Sequence, residues 1–310
     1  MAFEPPQRLV RALGESAPDG DDWLEKLPEL ARQAVAQREL SVERVQVPGG
    51  RSSLVVLVRT ADGTPAVLKL APPRARPGSE RAALSYWGGR GAVQLLEPGP
   101  PSGAGEEDAS GAGGALLLER LHPDVSVRSL PEAKALLEAA GTLRRLWIEP
   151  PGPHPFETVA ERTGRQARAM RASADTDAAV APLVDAALTA REELLAAPPE
   201  HLLLHGTFRQ SKVLAGDRMP WLAVGPDPVV GECAFDLARL VRDRVEDLIA
   251  SPSGAATTRR RIKRLAESLE VDQERLRGWT LFRAVESGVR AGRVGRPQDA
   301  ELLLEFATWL

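Results

Sequence analysis

The chain has 310 residues, enough for a large core and most naturally divided into two lobes or domains. Its 43% hydrophobic and 27% charged residues are those of an ordinary soluble globular protein. A net charge of -3 supplies no global attraction to nucleic acid or to an anionic membrane, so neither is expected as a partner. No apolar run approaches the roughly 20 residues that would cross a bilayer. Cys233 is the only cysteine, which rules out an intrachain disulfide and fits a reducing compartment. The N-terminal residues lack the basic stretch and apolar run of a secretory signal. The expected location is cytoplasmic.

In chain order, residues 1–22 carry Pro and Gly with weak patterning and are expected to form a mobile arm. From Trp23, the positions Trp23, Leu27, Leu30 and Ala34 fall at helical spacing, with Asp21 or Asp22 available as cap. Leu54 to Val58 and Ala66 to Leu70 are aliphatic, β-branched runs around a tight Asp62-Gly63 turn, which predicts a hairpin. Glu80 to Trp87 reads as a short helix and Ala92 to Leu96 as another strand. Residues 98–114 hold Pro, Gly, Ser, Ala and acids, with too little apolar content to pack, and are expected to be a flexible loop. A further strand spans Ala115 to Leu118.

Beyond Leu121 the pattern turns helical. Ser129-Leu130-Pro131-Glu132 has the form of a capping box, and Leu136, Ala140, Leu143 and Trp147 would line the inner face of the helix that follows. Helical stretches are also expected around Thr163 to Arg171 and from Ala178 to Ala196. Short strands and turns fill Leu202 to Leu240, and the last seventy or so residues are mainly helical. The expected fold class is α+β: a small antiparallel β lobe with a helix over residues 1–121, and a larger, mainly helical lobe over residues 122–310.

Several segments together carry a resemblance. They are Asp62 to Leu70, Glu80 with Trp87, Gly114 to Leu121, His205-Gly206-Thr207-Phe208-Arg209-Gln210-Ser211-Lys212, Pro220 to Ala223, and Gly231 to Ala238. In these the chain resembles the aminoglycoside/hydroxyurea antibiotic resistance kinase family, and within it looks closest to streptomycin phosphotransferases. The resemblance implies a protein-kinase-like bilobal fold. It also implies that Lys69 would reach the α- and β-phosphates of ATP, with Glu80 as its ion-pair partner and Glu119 as a further cofactor-binding residue. Read without the family, Lys69 is a solvated strand residue and Glu80 an ordinary helix-start acid.

The reactive positions depart from the family's pattern. Its loop normally reads His-Gly-Asp-x-His-x-x-Asn, followed by a metal-binding Asp. Here Thr207 stands at the catalytic Asp, Arg209 at the loop His, Lys212 at the metal-binding Asn and Gly225 at the second metal-binding Asp. A neutral hydroxyl is no base near pH 7, and loss of a general base typically costs about 10²- to 10⁴-fold. A Lys⁺ about 4 Å from Mg²⁺ is repelled by roughly 8 kcal/mol at an effective dielectric of about 20, before relaxation. Asp227, two residues beyond Gly225, is a weak candidate metal ligand and a candidate partner for Lys212.

The reading that follows is a pseudokinase: a kinase-like fold without efficient phosphotransfer, serving as a ligand-binding or protein-interaction module. Lys69, Arg209 and Lys212 suit a small-molecule or other anionic ligand; ATP is admissible and Mg²⁺ is disfavoured. The rival is an active phosphotransferase acting on a hydroxyl of an aminoglycoside or similar small molecule. His205 and Asp236 read as scaffold, the latter as an acceptor of backbone hydrogen bonds. His122, His154 and His201 show no metal spacing, and Arg259-Arg260-Arg261 reads as a solvated helix face.

Overall fold

The structure is a computed structural model and describes residues 3–16, 22–97 and 114–310. The chain divides into two compact units. One comprises the residues up to Pro123 together with Ala215–Asp227; the other comprises Asp124–Leu214 and Pro228–Leu310.

In the first unit, α1 (Gln7–Ser16) and α2 (Asp22–Gln37) precede β1 (Ser41–Val45), β2 (Leu54–Arg59) and β3 (Pro65–Leu70). These are followed by α3 (Pro77–Trp87) and β4 (Ala115–Glu119). The strands form an antiparallel sheet in the order β1-β2-β3-β4. Alternation in the sequence decides what each face of the sheet does. Leu54, Val56 and Val58 of β2, with Ala66, Leu68 and Leu70 of β3, join one core cluster with Leu9 and Leu13 of α1 and Trp23, Leu27, Ala31 and Ala34 of α2. Lys69, out of phase with these, points to the other face, between Val55 and Leu116 in register. The turn expected at Asp62-Gly63 is made, with Gly63 at φ 84°, where a side chain would be strained.

Three expectations for this unit need correction. The described part of the expected mobile arm is the helix α1, whose Leu9 and Leu13 are buried along with Phe3; an amphipathic turn beside a sheet gains more from burial than its Pro and Gly neighbours cost. Ala92 to Leu96 makes no strand of its own, only isolated bridges from Ala92 to Ala223 and from Leu95 to Leu118. Ala215–Asp227, expected in the C-terminal lobe, returns to this unit. Ala223 donates to Gly91 O and accepts from Val93 N–H, both at 2.9 Å, and Arg218 donates to the carbonyls of Gly89 and Ala92. The segment of residues 98–114 lies outside the described residues apart from Gly114. β1 was not anticipated, because Ser-Val-Glu-Arg-Val is charged and lies at the sheet edge.

After β5 (His122–Ser126), the second unit is built from α4 (Glu132–Arg144), α5 (Val159–Ala174), α6 (Ala181–Ala196), β6 (Leu202–Leu204), β7 (Val213–Ala215) and, once the chain has passed through β8 (Leu222–Ala223) of the first unit, β9 (Val229–Gly231). Next come α7 (Cys233–Val241), α8 (Val245–Ala250), α9 (Gly254–Leu269), α10 (Gln273–Arg293) and α11 (Pro297–Ala307). β6 pairs with β9 antiparallel. Phe235 on α7 packs edge-to-face on Trp279 of α10 at 5.1 Å between ring centroids, and Trp279 on Phe282 at 5.8 Å, a geometry the ring quadrupoles favour.

The capping box expected at Ser129 to Glu132 is not formed: Ser129 Oγ donates back to Ser126 O, and α4 starts after Pro131 without a side-chain cap. Of its expected inner face, Ala140 and Leu143 are buried and Leu136 is half-buried, Ala135 and Ala139 join them, and Trp147 lies beyond the helix end. The capping box lies instead at Thr158 and Glu161, at the start of α5. Among the described residues no helix is long and apolar enough to cross a membrane.

Candidate functional site

In the first unit the sheet and α3 bring Lys69 and Glu80 together. Pro77 opens α3, and Gly88, in the left-handed region at φ 53°, closes it with its N–H on Leu84 O. Glu80 lies in the first turn, and the Lys69 ammonium donates to its Oε2. The two side chains are 12% and 4% exposed, so the pair is largely out of water. Such a pair is costly to assemble and more costly to break from one side.

Glu119 ends β4. Its Oε2 accepts from Arg218 at 2.9 Å and from Gln94 N–H at 3.0 Å, and its own N–H donates to Gln94 O. The side chain thus holds the Gly89–Gln94 stretch in place, a role that sequence reasoning missed because Arg218 lies 99 residues away. Asp227 pairs with Arg76. A cation approaching that carboxylate would have to compete with a guanidinium. Gly225 has φ 62°, in the left-handed region.

In the second unit the stretch from His205 to Lys212 is held by its backbone. The Asp236 carboxylate, wholly buried, accepts from His205 N–H at 2.8 Å and from Gly206 N–H at 2.9 Å. Burial pushes this carboxyl above its ordinary value, against the pull of Arg283 and the two backbone donors. Arg283 donates to Gly206 O at 2.6 Å and Phe235 O at 2.7 Å, with its guanidinium 4.2 Å from the Phe235 ring centroid. Farther along, Gln210 N–H donates to Asp243 Oδ2 at 2.6 Å, and Arg244 Nε to Gln210 Oε1 at 3.1 Å. His205 is fully buried, edge-on to Phe208, and accepts weakly from Thr207 N–H at 3.4 Å through Nδ1. The anchoring role read for Asp236 from the sequence is what the structure shows. Arg283 and Asp243, its counterparts in fixing the loop, were missed, since nothing in their local sequence marks them.

On this frame the side chains at the exchanged positions meet. The Lys212 ammonium donates to the Thr207 hydroxyl at 2.5 Å. A hydroxyl accepting from an ammonium is less basic than a free one, and neither group can take a proton from an alcohol at neutral pH. Arg209, next on the loop, is extended at φ −166°.

Mg²⁺ requires near-octahedral oxygen coordination, usually through one or two carboxylates plus substrate phosphates. The positions that the resemblance reads as metal ligands hold an ammonium at Lys212 and no side chain at Gly225, and no group of three or more His, Cys, Asp or Glu suited to a metal occurs among the described residues. Neither position offers the ion a side-chain oxygen ligand. The three scattered histidines likewise bring no ligands together: His122 bonds Asp217 at 2.9 Å and His154 stacks on Phe156. Arg261, read as part of a solvated face, is buried and donates to the carbonyls of Val241 and Asp243, each at 2.7 Å, and to Glu132; the expectation holds for its exposed neighbours Arg259 and Arg260.

Comparison with known proteins places these observations. The family model described as aminoglycoside/hydroxyurea antibiotic resistance kinase matches residues 38–295. A streptomycin 6-kinase of Streptomyces glaucescens is 32% identical over 90% of this chain and 87% of its own length. A hydroxyurea phosphotransferase of Kitasatospora aureofaciens is 34% identical over 92% and 81%. Among solved structures, an aminoglycoside phosphotransferase in ternary complex with AMP-PNP and hygromycin B superposes with a TM-score of 0.57 at 15% identity, covering 89% of this chain and 96% of that one. The choline kinase LicA of Streptococcus pneumoniae gives 0.57 at 11% identity, covering 91% and 97%. The fold is protein-kinase-like, with an antiparallel sheet in one unit and a mainly helical second unit.

Proposed function

We propose, on the premise that this chain belongs to the aminoglycoside/hydroxyurea antibiotic resistance kinase family, that it has lost efficient metal-dependent phosphoryl transfer and acts as a ligand-binding or interaction module. The observation that carries this reading is the 2.5 Å hydrogen bond from Lys212 to Thr207. It occupies the two loop positions that would supply the base and a metal ligand with an ammonium and a hydroxyl. Transition-state stabilisation in phosphoryl transfer comes from positioned acids and metal ions, and this loop presents neither at those positions.

The rival reading, an active phosphotransferase on a small hydroxylated compound, draws on the retained Lys69–Glu80 pair and on the activities named for the relatives. Steady-state turnover of Mg-ATP with streptomycin, and separately with hydroxyurea, distinguishes the two when a Lys69→Ala variant prepared in parallel serves as background. The proposal expects no turnover above that background. It also expects Thr207→Asp/Lys212→Asn/Gly225→Asp to raise turnover by about 10²-fold or more, the scale of a recovered general base. Left-handed backbone at position 225 admits Asp at modest cost. Turnover in the parent that Lys69→Ala abolishes would establish the rival.

A further inference from the structure

The second unit gathers more positive charge beside the His205 loop than the loop's own scaffolding uses. Helices α7 and α10 pack together. Arg239 lies near the end of α7, one turn after Asp236, and Arg242 caps that helix. On α10, Arg283, Glu286 and Arg290 recur at helical spacing along the sequence. Most of these groups are engaged. Arg283 holds the loop as described, Arg242 is buried and donates to Ser287 Oγ at 2.9 Å, and Arg290 Nε donates to Glu286 at 3.0 Å.

Arg239 differs. It is part-buried, and among the described residues its guanidinium makes no hydrogen bond and no ion pair. Its electrostatic neighbours include the guanidinium groups of Arg209, Arg242, Arg283 and Arg290. The carboxylates acting on it are those of Glu286 and Asp243. Each is already taken: Asp243 by Gln210 N–H, and Glu286 by Arg290 and Ser287. Burial lowers Arg239 to about 10 and Arg242 to about 9, with neighbouring arginines acting in the same direction. Both values lie well above neutrality, so the charge stays. A partly desolvated guanidinium with no hydrogen-bond acceptor of its own, amid like charges, is costly to the folded state. An anion relieves that cost.

We propose that Arg239, with Arg209 and Arg290, forms a binding site beside the His205 loop for the phosphoryl group of a small molecule. The guanidinium groups acting on Arg239 outnumber the carboxylates acting on it, which favours a phosphate dianion over a carboxylate. Several guanidinium forks also match the oxygens of a tetrahedral anion better than those of a planar one. The Arg290 side chain is 52% exposed and gives the anion a route from solvent. A cationic aminoglycoside would be repelled here, so this inference goes beyond the function proposed above. It stands whether or not the chain turns over ATP.

The test is thermal denaturation and calorimetric titration of the full chain without nucleotide, at constant ionic strength set with chloride so that screening does not change. The probes are inorganic phosphate, glucose 6-phosphate and, as the neutral control, glucose. Phosphate and glucose 6-phosphate are expected to raise the melting temperature in a saturable manner, and glucose to have no effect. Binding of the ester about tenfold tighter than phosphate identifies an esterified ligand; equal or weaker binding identifies the free anion. Arg239→Gln is expected to weaken phosphate binding about tenfold or more and to melt no lower than the parent when unliganded, because a like charge is removed. Arg239→Lys should recover only part of the affinity. Arg259→Gln, on the exposed face of α9, should change neither. Phosphate binding that is absent, or that is unchanged in both Arg239 variants, would overturn the proposal.

Discussion

Lys69 with Glu80, and Thr207 with Lys212, are both polar pairs at positions where the family resemblance places kinase chemistry, and they differ in charge balance. The first is a cation and an anion, nearly out of water, each the other's counter-charge. The second is a cation and a neutral hydroxyl 2.5 Å apart, held by a backbone whose anchors, Asp236 and Arg283, are complete. The difference teaches that the frame of such a loop and the side chains it presents are separable. Buried acceptors of backbone N–H groups fix the frame, whereas side chains that the frame merely presents can change without unfolding it.

The sharpest way to break this comparison is to attack the anchor. Asp236→Ala strands the N–H groups of His205 and Gly206 and leaves Arg283 buried without its nearby acid, a loss on the order of 3–5 kcal/mol. Urea denaturation should show it as a fall in midpoint at unchanged slope. A loss below about 1 kcal/mol would mean that the loop does not depend on this carboxylate.

A smaller effect is expected in the other pair, and it separates structure from function there. Glu80→Leu leaves Lys69 without its partner and should cost about 3 kcal/mol, while Lys69→Met/Glu80→Leu should recover most of that stability, since apolar replacement of a buried pair is often near neutral. If Lys69 serves nucleotide phosphates, the double variant will nonetheless bind ATP more weakly than the parent. Equal ATP affinity in the two would assign the pair to stability alone.

Much of this was legible in the sequence for identifiable reasons. The hairpin of β2 and β3 announced itself because β-branched runs flank Asp62-Gly63, and the face of Lys69 followed from strand alternation. The exchanged loop residues could be read by position because the flanking His205-Gly206 and Phe235-Asp236 stayed recognisable. Other features were hidden. Leu9 and Leu13 carry helical spacing, but over too short a stretch, next to Pro5 and Pro6, to outweigh the reading of a loose terminus. Ser129 to Glu132 had the letters of a capping box, but Ser129 ends a 3-10 turn and its hydroxyl donates to Ser126 O, and Thr158 with Glu161 had both the letters and the geometry. Arg239 and Arg242 look like any charged helix surface until α10, some forty residues on, brings Arg283, Glu286 and Arg290 against them. Burial of charge is a property of packing, and local sequence does not encode it.

The most direct test of the central claim, that cationic and neutral residues have replaced the acids that would hold a nucleotide-bound metal, is calorimetric titration of AMP-PNP into the parent protein in EDTA and again in excess Mn²⁺. The account predicts that the metal does not tighten binding. Tightening by about tenfold or more, equivalent to about 1.4 kcal/mol, would contradict it.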